Sequence, residues 1–252
     1  MQYKYVKEQA EYSDYASGRV FYSLPGHPAF PVRLGSEIFQ RCLAKREAIY
    51  GASTPCTLYD PCCGAAYHLS VLGYLHRERI REIIASDIDE TAVEFARRNL
   101  GLLHQDGLQA RIRELSEVFE RYGKDSHREA LRSAAVLKEK LSADGERYPL
   151  GTRAFQASAT NRAEMVKHID PGSVDIILSD VPYGRHSRWN DSHVDEMSNP
   201  LTSILEALLG VLSRTSSVAI VSDKGQKAAH ERFERIQQFQ LGKRRVAILR
   251  PL

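Results

Sequence analysis

Cys56-Thr57-Leu58-Tyr59-Asp60-Pro61-Cys62-Cys63-Gly64-Ala65-Ala66, followed by His68 to Arg77 in a helical pattern, reads as a strand, a turn and a helix in succession. Four strand-forming residues end at Asp-Pro, small residues make a turn, and a helix returns. The unit recurs. Glu82 to Ser86 reads as a strand ending at Asp87, and Asp89 stands where it can cap a helix carrying Ala92, Val93, Phe95, Ala96 and Leu100. Val174 to Ser179 is a third strand, ending at Asp180. A helix over Leu201 to Leu212 and a strand over Ser217 to Ser222 follow. Strands separated by helices predict a parallel sheet covered on both faces. Ile236 to Gln240, a turn near Leu241-Gly242 and Arg245 to Leu249 read as a closing hairpin, which adds antiparallel pairing.

Residues 1–34 are aromatic-rich and irregular, and a helix is expected from an N-cap at Ser36 to about Tyr50. The strand and helix rhythm breaks between about 107 and 148, where amphipathic helices of nearly balanced charge suggest an insertion. It reads equally as a solvated cap. The expected organisation is thus an extension and helix over 1–50 and a main domain over 51–252.

The chain has 252 residues, 42% hydrophobic and 27% charged, which suits a globular α/β domain. No apolar run approaches the roughly 20 residues that cross a bilayer. The polar start, Met1 to Glu11, argues against a signal or transit peptide, so a cytoplasmic protein is expected. Cys42, Cys56, Cys62 and Cys63 lack paired C-x-x-C spacing, so thiols packed as small apolar groups are expected and no metal site. Net charge is +3, unevenly spread. Residues 181–252 hold eleven Lys/Arg against seven Asp/Glu, while 58–105 hold five against seven.

In an open parallel sheet, ligands bind beyond the carboxyl ends of the strands. Asp60, Asp87 and Asp180 all end strands, so one crevice would hold several carboxylates. Gly64, with Ala65 and Ala66, lets a ligand approach the backbone. There is no G-x-G-x-x-G, no P-loop lysine and no basic residue in the turn, which disfavours a phosphate ligand. The acidic character suits a cation, and S-adenosylmethionine (SAM) carries an ammonium and a sulfonium. Asp87 stands where a carboxylate can accept ribose hydroxyls. Asp89 serves there too, or caps the next helix.

Ser179-Asp180-Val181-Pro182-Tyr183-Gly184 carries the chemistry. Asp180 and neighbouring carbonyls can orient an exocyclic amino group toward a methyl donor, and Tyr183 offers a ring for a planar base. Read blandly, Asp, Pro and Gly make only a turn. Next, Arg185, Arg188 and Trp189 combine cations with the only tryptophan, as a flipped RNA base would require, or form a solvated loop. Lys243-Arg244-Arg245 could hold phosphates or blunt a sheet edge.

The order of Asp60-Pro61-Cys62-Cys63-Gly64, Ser86-Asp87-Ile88-Asp89 and Asp180-Val181-Pro182-Tyr183 resembles class I SAM-dependent amino-methyltransferases, within them the group acting on guanine N2 of RNA. Over the full chain, including Phe30-Pro31-Val32-Arg33-Leu34, it is most similar to avilamycin-resistance rRNA methyltransferases of the AviRa type. The resemblance implies a Rossmann-like, mostly parallel seven-stranded sheet, SAM as methyl donor, and a guanosine of 23S rRNA in the large ribosomal subunit as acceptor. It further implies resistance to a ribosome-targeting antibiotic. Asp60, Cys63, Gly64, Ala66, Asp87 and Asp89 would hold the cofactor, and Asp180, Pro182 and Tyr183 the reacting base. Ala66 replaces the second glycine of the first motif, and Val181 the first proline of the last. An acid near the adenine is missing; Ala157-Ser158-Ala159-Thr160-Asn161 stands there, offering Ser158, Thr160 or Asn161. A DNA adenine or protein glutamine methyltransferase would share the motifs. A SAM- or RNA-binding module without catalysis would have no use for Asp180.

Overall fold

A computed structural model describes residues 3–8, 10–26, 28–181 and 199–252. After a 3-10 turn at Ser13–Tyr15 come α1 (Val32–Tyr50), β1 (Cys56–Asp60), α2 (Tyr67–Leu75), β2 (Ile80–Asp87) and α3 (Glu90–Gly101). They are followed by α4 (Gln105–Tyr122), α5 (Asp125–Asp144), β3 (Gly151–Gln156), α6 (Arg162–Met165) and β4 (Val174–Asp180). The chain closes with α7 (Pro200–Leu208), β5 (Leu212–Asp223), β6 (Phe233–Leu241) and β7 (Arg244–Pro251).

The seven strands form one sheet in the order β3-β2-β1-β4-β5-β7-β6. The first five are parallel, and β7 runs antiparallel between β5 and β6. Consecutive strands β1 and β2 are neighbours, whereas β4 adds on the other side of β1, so the strand order reverses there. That switch point opens a crevice beyond the carboxyl ends of β1 and β4.

Both faces of the sheet are covered, which is why its strands read as unbroken apolar runs. Alternation splits each strand between two cores. Leu58, Ile83, Leu178 and Val221 join Leu34, Ile38, Phe39, Leu69 and Leu72 of α1 and α2. Tyr59, Ile84, Ile177 and Ile220 join Leu201, Ile204, Leu205 and Leu208 of α7. At the opposite end of the strands, Asp175 accepts from Arg46 Nη2 (2.8 Å), Arg81 Nη2 (2.8 Å), Ser213 Oγ (3.1 Å) and the Thr57 amide (3.0 Å), tying α1 to the sheet.

Several boundaries differ from expectation. Helix α1 starts at Val32, because Pro31 at φ −61° sets the helical entry. Ser36 is no cap: it is buried within α1, with Oγ 2.8 Å from His76 Nε2. Helix α7 stops at Leu208, and Leu212 already opens β5. Strand β3 was not expected from sequence. It lies at the sheet edge, paired with β2 alone, and only Phe155 of its six residues is buried.

The 107–148 stretch is the helix pair α4 and α5. Their inner faces are not bare. Ser133 Oγ donates to Asp14 (2.8 Å), Glu114 accepts from Tyr22 OH (2.9 Å), and Arg111 Nε donates to the Val20 carbonyl (2.9 Å). The pair therefore carries the N-terminal extension. Tyr22 itself is clasped between the guanidiniums of Arg98 and Arg111, at 3.7 and 4.2 Å from its ring centre.

Candidate active site

The loop after β1 is built around Asp60, whose carboxylate is fully buried. Oδ1 accepts from the Cys62 amide (2.9 Å), and Oδ2 lies 3.2 Å from Nε2 of His68 on α2. That nitrogen is also 3.4 Å from the Leu178 carbonyl of β4. Burial would push the His68 pKa down. The hydrogen bond and charge of Asp60, with the charge of Asp180 and the Leu178 carbonyl, outweigh it and hold the imidazole above its ordinary value. Asp60 thus shapes the loop from inside instead of presenting its carboxylate at the surface.

The loop turns on two left-handed residues, Gly64 at φ 52° and Ala66 at φ 51°. Ala66 is the N-cap of α2. The Cys63 amide donates to the Ser86 carbonyl (2.9 Å) and the Gly64 amide to Asp87 Oδ2 (2.8 Å), which binds the loop to the end of β2. Burial, with the nearby Asp60 and Asp87 carboxylates, pushes the Cys62 and Cys63 thiols well up, so both stay neutral. The four cysteines are free thiols, and among the described residues no group of three or more His, Cys, Asp or Glu could hold a metal.

Sequence reasoning missed what supports this loop. Asn99, fully buried on α3, donates to the Ala65 carbonyl (2.8 Å) and the Tyr22 carbonyl (3.0 Å) and accepts from the Tyr22 amide (2.8 Å). Leu24 of the extension packs with Ala65, Ala92 and Phe95. The available signal was spacing, since Ala92, Ala96 and Asn99 share the core-facing stripe of α3.

Asp87 is half-buried and also accepts from the Asp89 amide at Oδ1 (3.1 Å); the next residue, Ile88, is an exposed apolar side chain at 43%. Asp89 proves to be the N-cap of α3, accepting from the Thr91 amide (2.8 Å). Asn161 likewise caps α6, accepting from the Ala163 and Glu164 amides (3.1 and 3.3 Å). Thr160 Oγ1 lies 3.0 Å from Ser158 Oγ. An acid does reach this loop, Glu164 of α6. Glu164 accepts from the Ser158 amide (2.8 Å) and from Asn161 Nδ2 (2.9 Å), and Asn161-x-x-Glu164 was its readable mark.

Asp180 ends β4 beside Val221 of β5 and is half-buried. Pro182, Tyr183, Arg185, Arg188 and Trp189 lie outside the described residues. Of the other basic candidates, Lys243 is exposed in the β6–β7 turn. Arg244 sits over the Phe30 ring at 5.6 Å, and Arg245 Nη1 donates to the Gln226 carbonyl (3.0 Å). The two arginines are therefore engaged within the protein.

At the crevice, then, a left-handed small-residue turn meets a carboxylate tied to it (Asp87), an exposed apolar residue (Ile88) and a second carboxylate (Asp180), with no Lys or Arg among these described residues. This donor set fits a cationic nucleoside such as SAM better than a phosphate.

A 23S rRNA (guanine(2535)-N(1))-methyltransferase of Streptomyces viridochromogenes is 37% identical over 248 residues, 98% of this chain and 95% of that protein. Two solved structures of the rRNA methyltransferase AviRa from the same organism are 36% identical. They superpose with TM-scores of 0.85 and 0.86, covering 98% and 99% of this chain and 96% of theirs. The family model for the rRNA methyltransferase AviRa matches residues 1–244, and the chain belongs to that family.

Proposed function

We propose that this methyltransferase acts on 23S rRNA in the cytoplasm, transferring a methyl group from SAM to ring N1 of a guanosine. N1 is preferred to the exocyclic amino group expected from the motifs, because the 37%-identical relative is named for N1. The consequence we infer is reduced sensitivity to an avilamycin-type antibiotic. The observation that carries the reading is the shared crevice at the β1–β4 switch point, where Asp87 is tied to Gly64 on one side and Asp180 ends β4 on the other.

When bound, SAM supplies an electrophilic methyl on sulfur. The residues of this chain do the rest. Asp87 would accept the ribose hydroxyls and Ile88 would pack against the adenine, while the turn at Gly64 and Ala66 would hold the methionine part. Guanine N1 carries a hydrogen, and its lone pair is delocalised, so it becomes nucleophilic as that proton leaves. Asp180 is the proton acceptor: its carboxylate would take the N1 proton as N1 gains the methyl, the methyl–sulfur bond of the donor breaking and S-adenosylhomocysteine being left. Tyr183 stacks on the base, an assignment that rests on the motif alone.

Transfer of tritiated methyl to 23S rRNA, followed by nucleoside analysis, tests this. Label in 1-methylguanosine is expected. Label in N2-methylguanosine would move the acceptor atom, and label only in DNA or protein would end the reading.

A further inference from the structure

The antiparallel strands place a set of cations that the catalytic motifs do not use. Strand β5 continues past Val221, the partner of Asp180, to Asp223, which pairs with Arg244 at the start of β7. The turn after β5 and the β6–β7 turn therefore lie at the same end of the sheet as the crevice. Lys224, Lys227 and Lys243 are exposed there. With a rise of about 3.3 Å per residue and about 4.8 Å between strands, the Lys224 and Lys243 backbones stand on the order of 10–15 Å from that of Asp180.

The β5 turn is held in shape from several sides. Asp223 Oδ1 accepts from the Gly225 amide (2.6 Å), the Gln226 amide donates to the Asp223 carbonyl (3.2 Å), and Arg245 holds the Gln226 carbonyl (3.0 Å). Asn199 Nδ2 donates to the Lys227 carbonyl (3.2 Å). The only acid in the turn is thus spent on its own backbone, and Lys224 and Lys227 project from a fixed frame. The other end of these strands is different in kind. There Arg250 pairs with Glu234 (2.6 Å), His230 with Glu206 (2.9 Å), and Glu231 stands beside Arg232. Apart from Asp223, the two turns at the crevice end, 224–227 and 242–243 among the described residues, hold three lysines and no acidic residue.

We propose that Lys224 and Lys227, with Lys243, form a phosphate-binding rim that grips the RNA backbone beside the target base, while Arg244 and Arg245 build the rim without touching RNA. The proposal rests on the rRNA reading above. Lysines on two rigid turns neutralise phosphates without reading sequence, so they set register and affinity while the crevice selects the base.

The test uses the full chain, transcribed 23S rRNA and the charge reversals Lys224→Glu, Lys227→Glu and Lys243→Glu, singly and together. Arg232→Glu, at the far end of the sheet, is the matched control. S-adenosylhomocysteine affinity checks that each variant is folded. The triple variant is expected to raise KM for RNA at least tenfold and to lower the log–log salt slope by about 2, since each lost contact removes roughly 0.7–0.9. It should keep its S-adenosylhomocysteine affinity. A triple variant with the wild-type KM and slope overturns the rim and leaves rRNA methylation standing. A control that loses as much slope also overturns it, because overall charge then suffices. If the wild-type enzyme does not methylate rRNA at all, the functional reading falls first and the rim with it.

Discussion

Nε2 of His68 lies 3.2 Å from Oδ2 of Asp60 and 3.4 Å from the Leu178 carbonyl, so one buried imidazole joins the ends of β1 and β4 beneath the crevice. Removing it strands a fully buried carboxylate, a loss on the order of 3–5 kcal/mol. His68→Leu should therefore unfold at markedly lower urea, and Asp60→Asn in the same chain should restore part of the loss. The dependence on pH has a definite sign. Since the folded pKa of His68 is raised, its stabilisation is complete below the ordinary value near 6.5 and fades as pH rises through the folded value. The gap between wild type and His68→Leu should narrow toward alkaline pH. A gap that widens there would show that the imidazole is neutral in the fold.

Asn99 couples the N-terminal extension to the cofactor loop through the Tyr22 and Ala65 backbones. Asn99→Ala leaves these buried groups unpaired, at about 1–3 kcal/mol for each that finds no water. S-adenosylhomocysteine affinity should fall about tenfold in the folded variant. Asn99→Asp should be worse than Ala, because it sets a carboxylate against two carbonyls. Calorimetry giving an affinity within twofold of wild type would reduce Asn99 to a packing role.

The three aspartate-ended strands were legible because both their faces are buried. Leu58-Tyr59, Ile83-Ile84-Ala85 and Ile176-Ile177-Leu178 are apolar without alternation, and each stops at a carboxylate. Strand β3 was not legible. An edge strand with one neighbour needs no apolar run, and Thr152, Arg153 and Gln156 look like loop. The site divides along similar lines. Residues that act through their own backbone position, such as Gly64 and Ala66, are marked by type and order. Residues that act through a partner far along the chain are not, because nothing in a linear pattern joins Asn99 to Tyr22. Asp89 and Asn161 illustrate the reverse ambiguity: the same side chains suit a nucleoside and a helix end, and in the structure both cap a helix.

Ala66 takes a left-handed conformation that costs a non-glycine residue about 1–2 kcal/mol. Ala66→Gly removes that strain but frees the unfolded chain by about 0.4–1 kcal/mol and gives up a buried methyl worth about 0.8 kcal/mol. The terms nearly cancel, so Ala66→Gly should melt within a few degrees of wild type and bind S-adenosylhomocysteine normally. Ala66→Val, β-branched at positive φ, should lose more than about 2 kcal/mol and weaken cofactor binding. A Val variant as stable as wild type would mean that the turn is not held as described.

Asp180 provides the decisive test of the chemistry. If it accepts the N1 proton, Asp180→Asn keeps the shape and one hydrogen-bond acceptor but loses the base. The turnover number should drop about 10²–10⁴-fold, with S-adenosylhomocysteine affinity within a few-fold of wild type. A residue that only terminates β4 would give the opposite pattern, a lower melting temperature with an unchanged rate per folded molecule. Raising the pH separates the two possible acceptor atoms. Guanine N1 can lose its proton to solvent once no side chain is needed to take it, so the Asp180→Asn rate should climb with pH toward that of wild type. An exocyclic amino group does not ionise in this range, and its methylation by Asp180→Asn would stay slow at every pH. An Asp180→Asn enzyme as fast as wild type at neutral pH would remove Asp180 from the proton transfer.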